Sequence, residues 1–206
     1  MGSTANETFS EQVQATQSRH SVWRTSIRFV LVMTMGFGLA YPLAITGIAG
    51  VLSPHQAAGS LIVRNGQVIG SELLAQSFTS DRYFHARPSA AGSGYDATSS
   101  GGSNLAQSNR KLVERMQADI DRLAAENPGG AVPIDAVTTS GSGLDPDITP
   151  DNAYFQAARV AKARGVTEQQ MKDLIGRHTQ GRTFGLLGEP RVNVLKLNLA
   201  LDEATK

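Results

Sequence analysis

The chain has 206 residues with 19 Lys and Arg against 18 Asp and Glu, a formal charge of +1, and no cysteine. Disulfide scaffolds, zinc-thiolate sites and cysteine nucleophiles are therefore excluded. From Ser53 onward 16 basic residues balance 16 acidic ones, and a neutral segment of this size argues against nucleic acid as a partner.

The opening MGSTANETFSEQVQATQS is polar and without apolar periodicity, so residues 1–28 read as a flexible cytoplasmic tail. Phe29 to Leu52, FVLVMTMGFGLAYPLAITGIAGVL, then carries no charged side chain. At about 1.5 Å per residue this run reaches roughly 36 Å, enough to cross a hydrocarbon layer of about 30 Å with some tilt. A cleavable signal has an apolar region of only about 7 to 15 residues, and a soluble core helix of this length would show a polar face. Residues 29–52 are expected to be a retained transmembrane helix.

Arg19, Arg24 and Arg28 precede the run, and the first basic residue after it is Arg64. By the positive-inside rule the N-terminus is cytoplasmic and residues 53–206 are extracytoplasmic. Within the helix Gly36, Ala40 and Ala44 recur at i, i+4 and i+8 and form a strip of small side chains, the pattern by which membrane helices approach a partner closely. Pro42 removes a hydrogen-bond donor from the same helix and predicts a kink.

In LIVRNGQVIG, Asn65-Gly66 lies between two β-rich runs and predicts a hairpin with strands near 60–64 and 67–70. SELLAQSF reads as a short helical turn. GSGYDATSSGGS is a long Gly- and Ser-rich loop, of the kind that is functional or disordered in a compact domain. From about Asn104 to Ala125, Leu112, Val113, Met116, Ile120 and Leu123 recur at three and four and predict an amphipathic helix ended by Asn127-Pro128-Gly129-Gly130. VPIDAVTT reads as a strand whose Pro133 favours an edge or a strand start.

After a second loop, SGSGLDPD, Thr149-Pro150 caps a helix running to Arg164 and stopping at Gly165. Thr167 and Gln170 form the capping box of a further helix with Met171, Leu174, Ile175 and a half-buried His178 on one face. VNVLKLNLAL changes phase between Val194 and Leu195, which predicts a bulge or a strand-to-helix change. The fold class is α+β: one N-terminal transmembrane helix and one mixed α/β extracytoplasmic domain.

No G-x-S-x-G, H-E-x-x-H or phosphate-binding G-x-x-x-x-G-K-[ST] occurs, and the four histidines are scattered. Asp145, Asp147 and Asp151 suit turn and helix-start chemistry better than an EF-hand. No catalytic residue and no metal site is expected. In the two Gly/Ser loops Tyr95 and Leu144 are the side chains available as partner anchors, the alternative being that both fold back on their own domain, and the loops are expected to be mobile in the isolated domain unless something holds them.

The anchor followed by YFHARPSAAGSGYDATSSGGSNL, VTTSGSGLDPDITPDNA, RVAKARG and GEPRVNVLKLNLALD resembles the KdpC family, the C subunit of the bacterial Kdp potassium-transporting ATPase. The likeness covers the chain from the membrane helix to Asp202. It implies an accessory, non-catalytic subunit in the bacterial inner membrane, with a channel-like subunit and a P-type ATPase subunit as partners and membrane lipid around the helix.

The family role it implies is assembly of the complex, together with a catalytic-chaperone action that raises the ATPase subunit's affinity for ATP. No cofactor is expected to bind the chain directly, and ATP enters only through the complex. Ser100-Gly101-Gly102-Ser103 and Ser140-Gly141-Ser142-Gly143 are similar to an ABC-transporter signature, but on this topology they lie on the side away from ATP. Three classes stay open: a transporter subunit, a nucleotide-binding subunit of the same complex, and a membrane-anchored periplasmic enzyme or solute-binding module.

Overall fold

The computed structural model describes residues 22–205, so the expected tail lies outside the described residues as far as Ser21. The chain divides into two compact units, Met1–Ala58 and Gly59–Lys206. In the first, helix α1 spans Val22–Leu52 and takes in Arg24 and Arg28 as well as the uncharged run. None of its most apolar window is buried against the protein, as suits a helix whose surface faces lipid.

The irregularity expected at Pro42 takes a specific form. Over Thr34–Ala40 the turns widen to a π-helix, and the Tyr41 amide donates to the Gly36 carbonyl. A proline ring clashes with the carbonyl four residues back, and an expanded turn just ahead of it is one way a helix absorbs that conflict. The unit ends in a single turn at Pro54–Ala57.

The second unit opens with β1 (Leu61–Arg64) and β2 (Gln67–Ser71), paired antiparallel. Asn65 at φ 52° and Gly66 at φ 77° supply the two positive φ angles of the expected hairpin turn. Ile62 faces Gly70 while Val63 faces Val68, so Ile69 is the extra residue of a bulge. From 72 to 109 there is neither helix nor strand, and SELLAQSF forms only a turn closed by the Leu74 amide on the Ser71 carbonyl.

Helix α2 (Arg110–Glu126) follows, capped by the Asn109 side chain on the Lys111 amide. Its Leu123 is buried with Val137 and Phe155, and Met116 and Ile120 pack beside them. Val113, expected on the same face, is exposed.

The strand expected in VPIDAVTT is instead a 3-10 turn at Ile134–Ala136. Ile134 points to solvent and Asp135 is buried, the reverse of what β propensity suggests. The cause is polar: the Asp135 carboxylate accepts from the Thr149 amide at 2.8 Å, the Thr149 hydroxyl at 3.0 Å and Asn152 Nδ2 at 3.1 Å. A tight turn brings one carboxylate to all three donors at a helix start, which a straight edge strand does not do.

β3 (Asp147–Ile148) leads into α3 (Pro150–Arg164), which has Thr149 as N-cap and stops at Gly165 as its cap chemistry predicts. α4 (Glu168–His178) carries the Thr167/Gln170 capping box. β4 (Thr179–Gln180) and β5 (Arg191–Asn193) complete a three-stranded antiparallel sheet of order β3-β5-β4, in which Ile148 and Thr179 both face Val192. The phase change in VNVLKLNLAL is the junction of β5 with α5 (Val194–Ala204), where the Asn193 side chain caps the new helix on the Lys196 amide. Phe84, Ile148, Val160, Ile175, Val192, Leu197 and Leu201 form the main core. The fold is α+β, an apolar N-terminal helix followed by a mixed region with two small sheets.

Candidate functional site

The strip on α1 is accessible along its length, since Gly36, Ala40 and Ala44 are all exposed. Gly36 and Ala40 share a shallow apolar groove with Leu31, Val32 and Met35, and Ala44 lies one turn beyond it. A Cβ built on Gly36 would meet nothing within 4 Å. Close packing of membrane helices in general needs open space of this kind above a small residue.

The two Gly/Ser loops are brought together rather than left separate. The Gly101 amide donates to the Ser142 carbonyl at 2.8 Å, the Ser100 hydroxyl donates to the same carbonyl at 3.0 Å, and the Ser89 hydroxyl donates to the Gly143 carbonyl at 2.6 Å. Gly143, at φ 67°, has room for no side chain: a Cβ there would lie 2.6 Å from the Gly101 carbonyl and 2.7 Å from the Ala91 amide.

Arg87 clamps the second loop from the other side. Its guanidinium donates to the Thr138 carbonyl and hydroxyl and to the Thr139 carbonyl, and pairs with Asp145 at 3.1 Å.

Both expected anchors turn back onto their own domain. Tyr95 is half-buried, its amide donates to the Ser89 hydroxyl at 2.8 Å and its own hydroxyl donates to the Arg87 carbonyl at 2.8 Å. Burial raises its phenol above the ordinary value. Leu144 is only 6% exposed, so its side chain is internal packing and not contact surface. The loops are short of regular structure but not of partners, and in this chain by itself the two side chains pack inward.

Between α2, α3 and the irregular stretch lies a cleft of about 270 Å³, lined among others by His85, Arg122, Glu126, Phe155, Gln156 and Arg159. Its charges are spent on one another. Glu126 takes Arg122 at 2.8 Å and lies 3.9 Å from Arg159, whose Nη1 donates to the Asp81 and Tyr83 carbonyls at 2.9 and 3.1 Å.

His85 is held below its ordinary pKa first by burial and then by the Arg159 charge, and its Nε2 meets the Ser80 carbonyl at 3.1 Å. A carbonyl, not a hydroxyl awaiting a base, faces the imidazole, so this contact has no nucleophile to activate. Among the described residues no three His, Asp or Glu converge as a metal-binding set. Asp145 and Asp147 are paired with Arg87 and Arg191, and Asp151 sits in the first turn of α3. His178 is half-buried on α4 as expected.

Not legible from motifs were the half-buried Arg87 and the buried Asp135, Asn152, Gln156 and Asn198, of which Gln156 and Asn198 fasten the irregular stretch directly. A signal for Asn198 was present, because it shares the inward face of α5 with Val194, Leu197 and Leu201. A buried amide on an apolar face must have partners.

Comparison with known proteins points one way. Residues 23–203 match the family described as KdpC: K+-transporting ATPase, c chain. A potassium-transporting ATPase KdpC subunit of Methylobacterium nodulans is 55% identical over 192 residues, covering 87% of this chain and 96% of its own. One from Rhodopseudomonas palustris is 54% identical over 193 residues, covering 88% and 97%. One from Koribacter versatilis is 54% identical over 178 residues, covering 86% and 92%.

Proposed function

The chain belongs to the KdpC family, and from that premise we propose that it is an accessory subunit of an ATP-driven potassium-uptake complex whose catalytic site lies on another chain. The observation that carries this reading is the extent of the family match, 23–203, which takes in both α1 and the second unit through most of α5. In this reading α1 is a single-pass anchor in the bacterial inner membrane, with its N-terminus cytoplasmic and the second unit periplasmic. Gly36, Ala40 and Ala44 face a helix of a partner subunit. The chain supports assembly and raises the affinity of the ATPase subunit for ATP through contacts between subunits.

The paired loops favour this over direct nucleotide binding. A phosphate cradle needs free backbone amides, whereas the Gly101 amide is spent on Ser142 and the Gly143 amide on Ser140. The self-paired charges of the cleft likewise give no support to a separate enzyme or solute binder.

Co-purification from mild detergent tests the proposal: the full chain brings down the channel-like and ATP-hydrolysing subunits, and isolation as a lone protein in several detergents overturns it. Ala40→Leu fills the groove and lowers that yield, whereas full yield from the variant places the strip against lipid.

A further inference from the structure

Between β4 and β5 the chain makes a tip, 182–189, that the reading above leaves without a task. Phe184 is 94% exposed, Leu186 75% and Leu187 59%, and no other large apolar side chain among the described residues is as exposed as Phe184. Burial in solvent-free packing is the ordinary fate of such side chains, and an apolar cluster held out in water marks a contact surface.

The tip is built to hold them there. The Thr183 amide donates to the Leu187 carbonyl at 2.8 Å and the Leu187 amide returns to the Thr183 carbonyl at 2.9 Å, while the Gly185 and Leu186 amides close on Arg182 and Thr183 at 3.0 and 3.2 Å. Phe184 adopts φ 55°, the left-handed region that an aromatic residue enters only under constraint. Four hydrogen bonds thus fix a backbone conformation that Phe184 would not choose, and the ordering cost of presenting the ring is met before any partner arrives.

Charge decides between a lipid surface and a protein pocket. Segments that lie on membranes surround their apolar face with free basic groups. Here Arg182 is neutralised by Glu189 at 2.6 Å and Arg191 by Asp147 at 3.1 Å. A preformed aromatic and aliphatic knob with a satisfied polar rim is the anatomy of a protein-docking hot spot.

We propose that the 182–189 tip is a docking knob, inserting Phe184 with Leu186 and Leu187 into an apolar, polar-rimmed pocket on another subunit of the ATPase complex. This rests on the subunit reading above.

The test replaces Phe184 with the photocrosslinking amino acid p-benzoylphenylalanine in the full chain, co-expressed with the other subunits, and identifies the adduct by mass spectrometry after irradiation. The same label at exposed Gln107 serves as the comparison. An adduct from position 184 to another subunit, absent from position 107, is expected. The double variant Phe184→Ser, Leu187→Ser is expected to lower co-purification by about tenfold or more, with the melting temperature of the full-length chain unchanged.

Adducts confined to lipid or to a second copy of this chain, or none while the unsubstituted chain still co-purifies, overturn the knob and leave the subunit reading standing. Failure of the unsubstituted chain to co-purify overturns both.

Discussion

Asn198 holds Phe84 with both ends of its side-chain amide: Oδ1 accepts from the Phe84 amide at 2.8 Å and Nδ2 donates to the Phe84 carbonyl at 2.9 Å. Gln156 does the same for His85, accepting from its amide at 2.7 Å and donating to its carbonyl at 3.1 Å. A segment without helix or strand therefore has its backbone satisfied here by one side chain from α5 and one from α3. This is how a stretch without helix or strand can bury Phe84 completely.

Asn198→Ala is expected to leave both polar groups of Phe84 buried and unpaired, at about 1–3 kcal/mol each. Chemical unfolding followed by circular dichroism should show a loss of at least about 2 kcal/mol. A loss below about 0.5 kcal/mol, the size of an ordinary surface substitution, would show that the clamp is dispensable.

The elements whose ends are set by local chemistry were legible in the sequence. Thr149-Pro150, the Thr167/Gln170 box and Asn65-Gly66 each specify their own backbone, and each stands where it was expected. VPIDAVTT was misread because its conformation is set by what Asp135 must reach, and those donors lie on a different segment. The inward packing of Tyr95 and Leu144 has the same kind of origin. Composition says that a loop is polar and flexible in isolation, but not that a second loop 42 residues on supplies its hydrogen bonds.

Gly143→Ala probes that loop pair. A methyl group would stand 2.6 Å from the Gly101 carbonyl and 2.7 Å from the Ala91 amide, both backbone, at a φ of 67° that alanine resists. The loops are expected to part, and hydrogen exchange at the Gly101 amide should speed up while amides in α3 keep their protection. Unchanged exchange at Gly101 would mean that the loops are held by other contacts.

Stability should fall on the acid side, and His85 supplies part of the fall. Its folded pKa is depressed, by burial first and by Arg159 second, with Glu126, Asp81 and the Ser80 carbonyl only partly opposing. The unfolded chain takes up a proton near the ordinary value of about 6.5, and the folded chain does so only at lower pH. Stability is therefore full above that value and is lost as pH drops toward the folded pKa.

His178, also depressed by burial and by Arg177, adds to the same trend. His85→Gln should lose less stability than the parent between about pH 7 and about pH 5. Equal losses in the two proteins would assign the effect to other groups.

The side of the membrane on which the second unit stands decides how an effect on ATP can arise at all. Arg24 and Arg28 lie in the first turns of α1, and no Lys or Arg follows the helix until Arg64 in β1. If, as proposed, the positive-inside rule sets the orientation and the second unit stands outside the cytoplasm, any change in nucleotide affinity passes through contacts with other subunits. Because the chain has no cysteine, a single introduced one reports topology without background.

Lys111, exposed in the first turn of α2, is a better position than the hairpin turn at Asn65, whose φ of 52° a cysteine would strain. Lys111→Cys should react with a membrane-impermeant thiol reagent in intact cells whose outer barrier is permeable. Labelling only after the inner membrane is ruptured would reverse the orientation, and would put the Ser100 to Ser103 and Ser140 to Gly143 loops on the nucleotide side, where direct contact with ATP again becomes the simpler route.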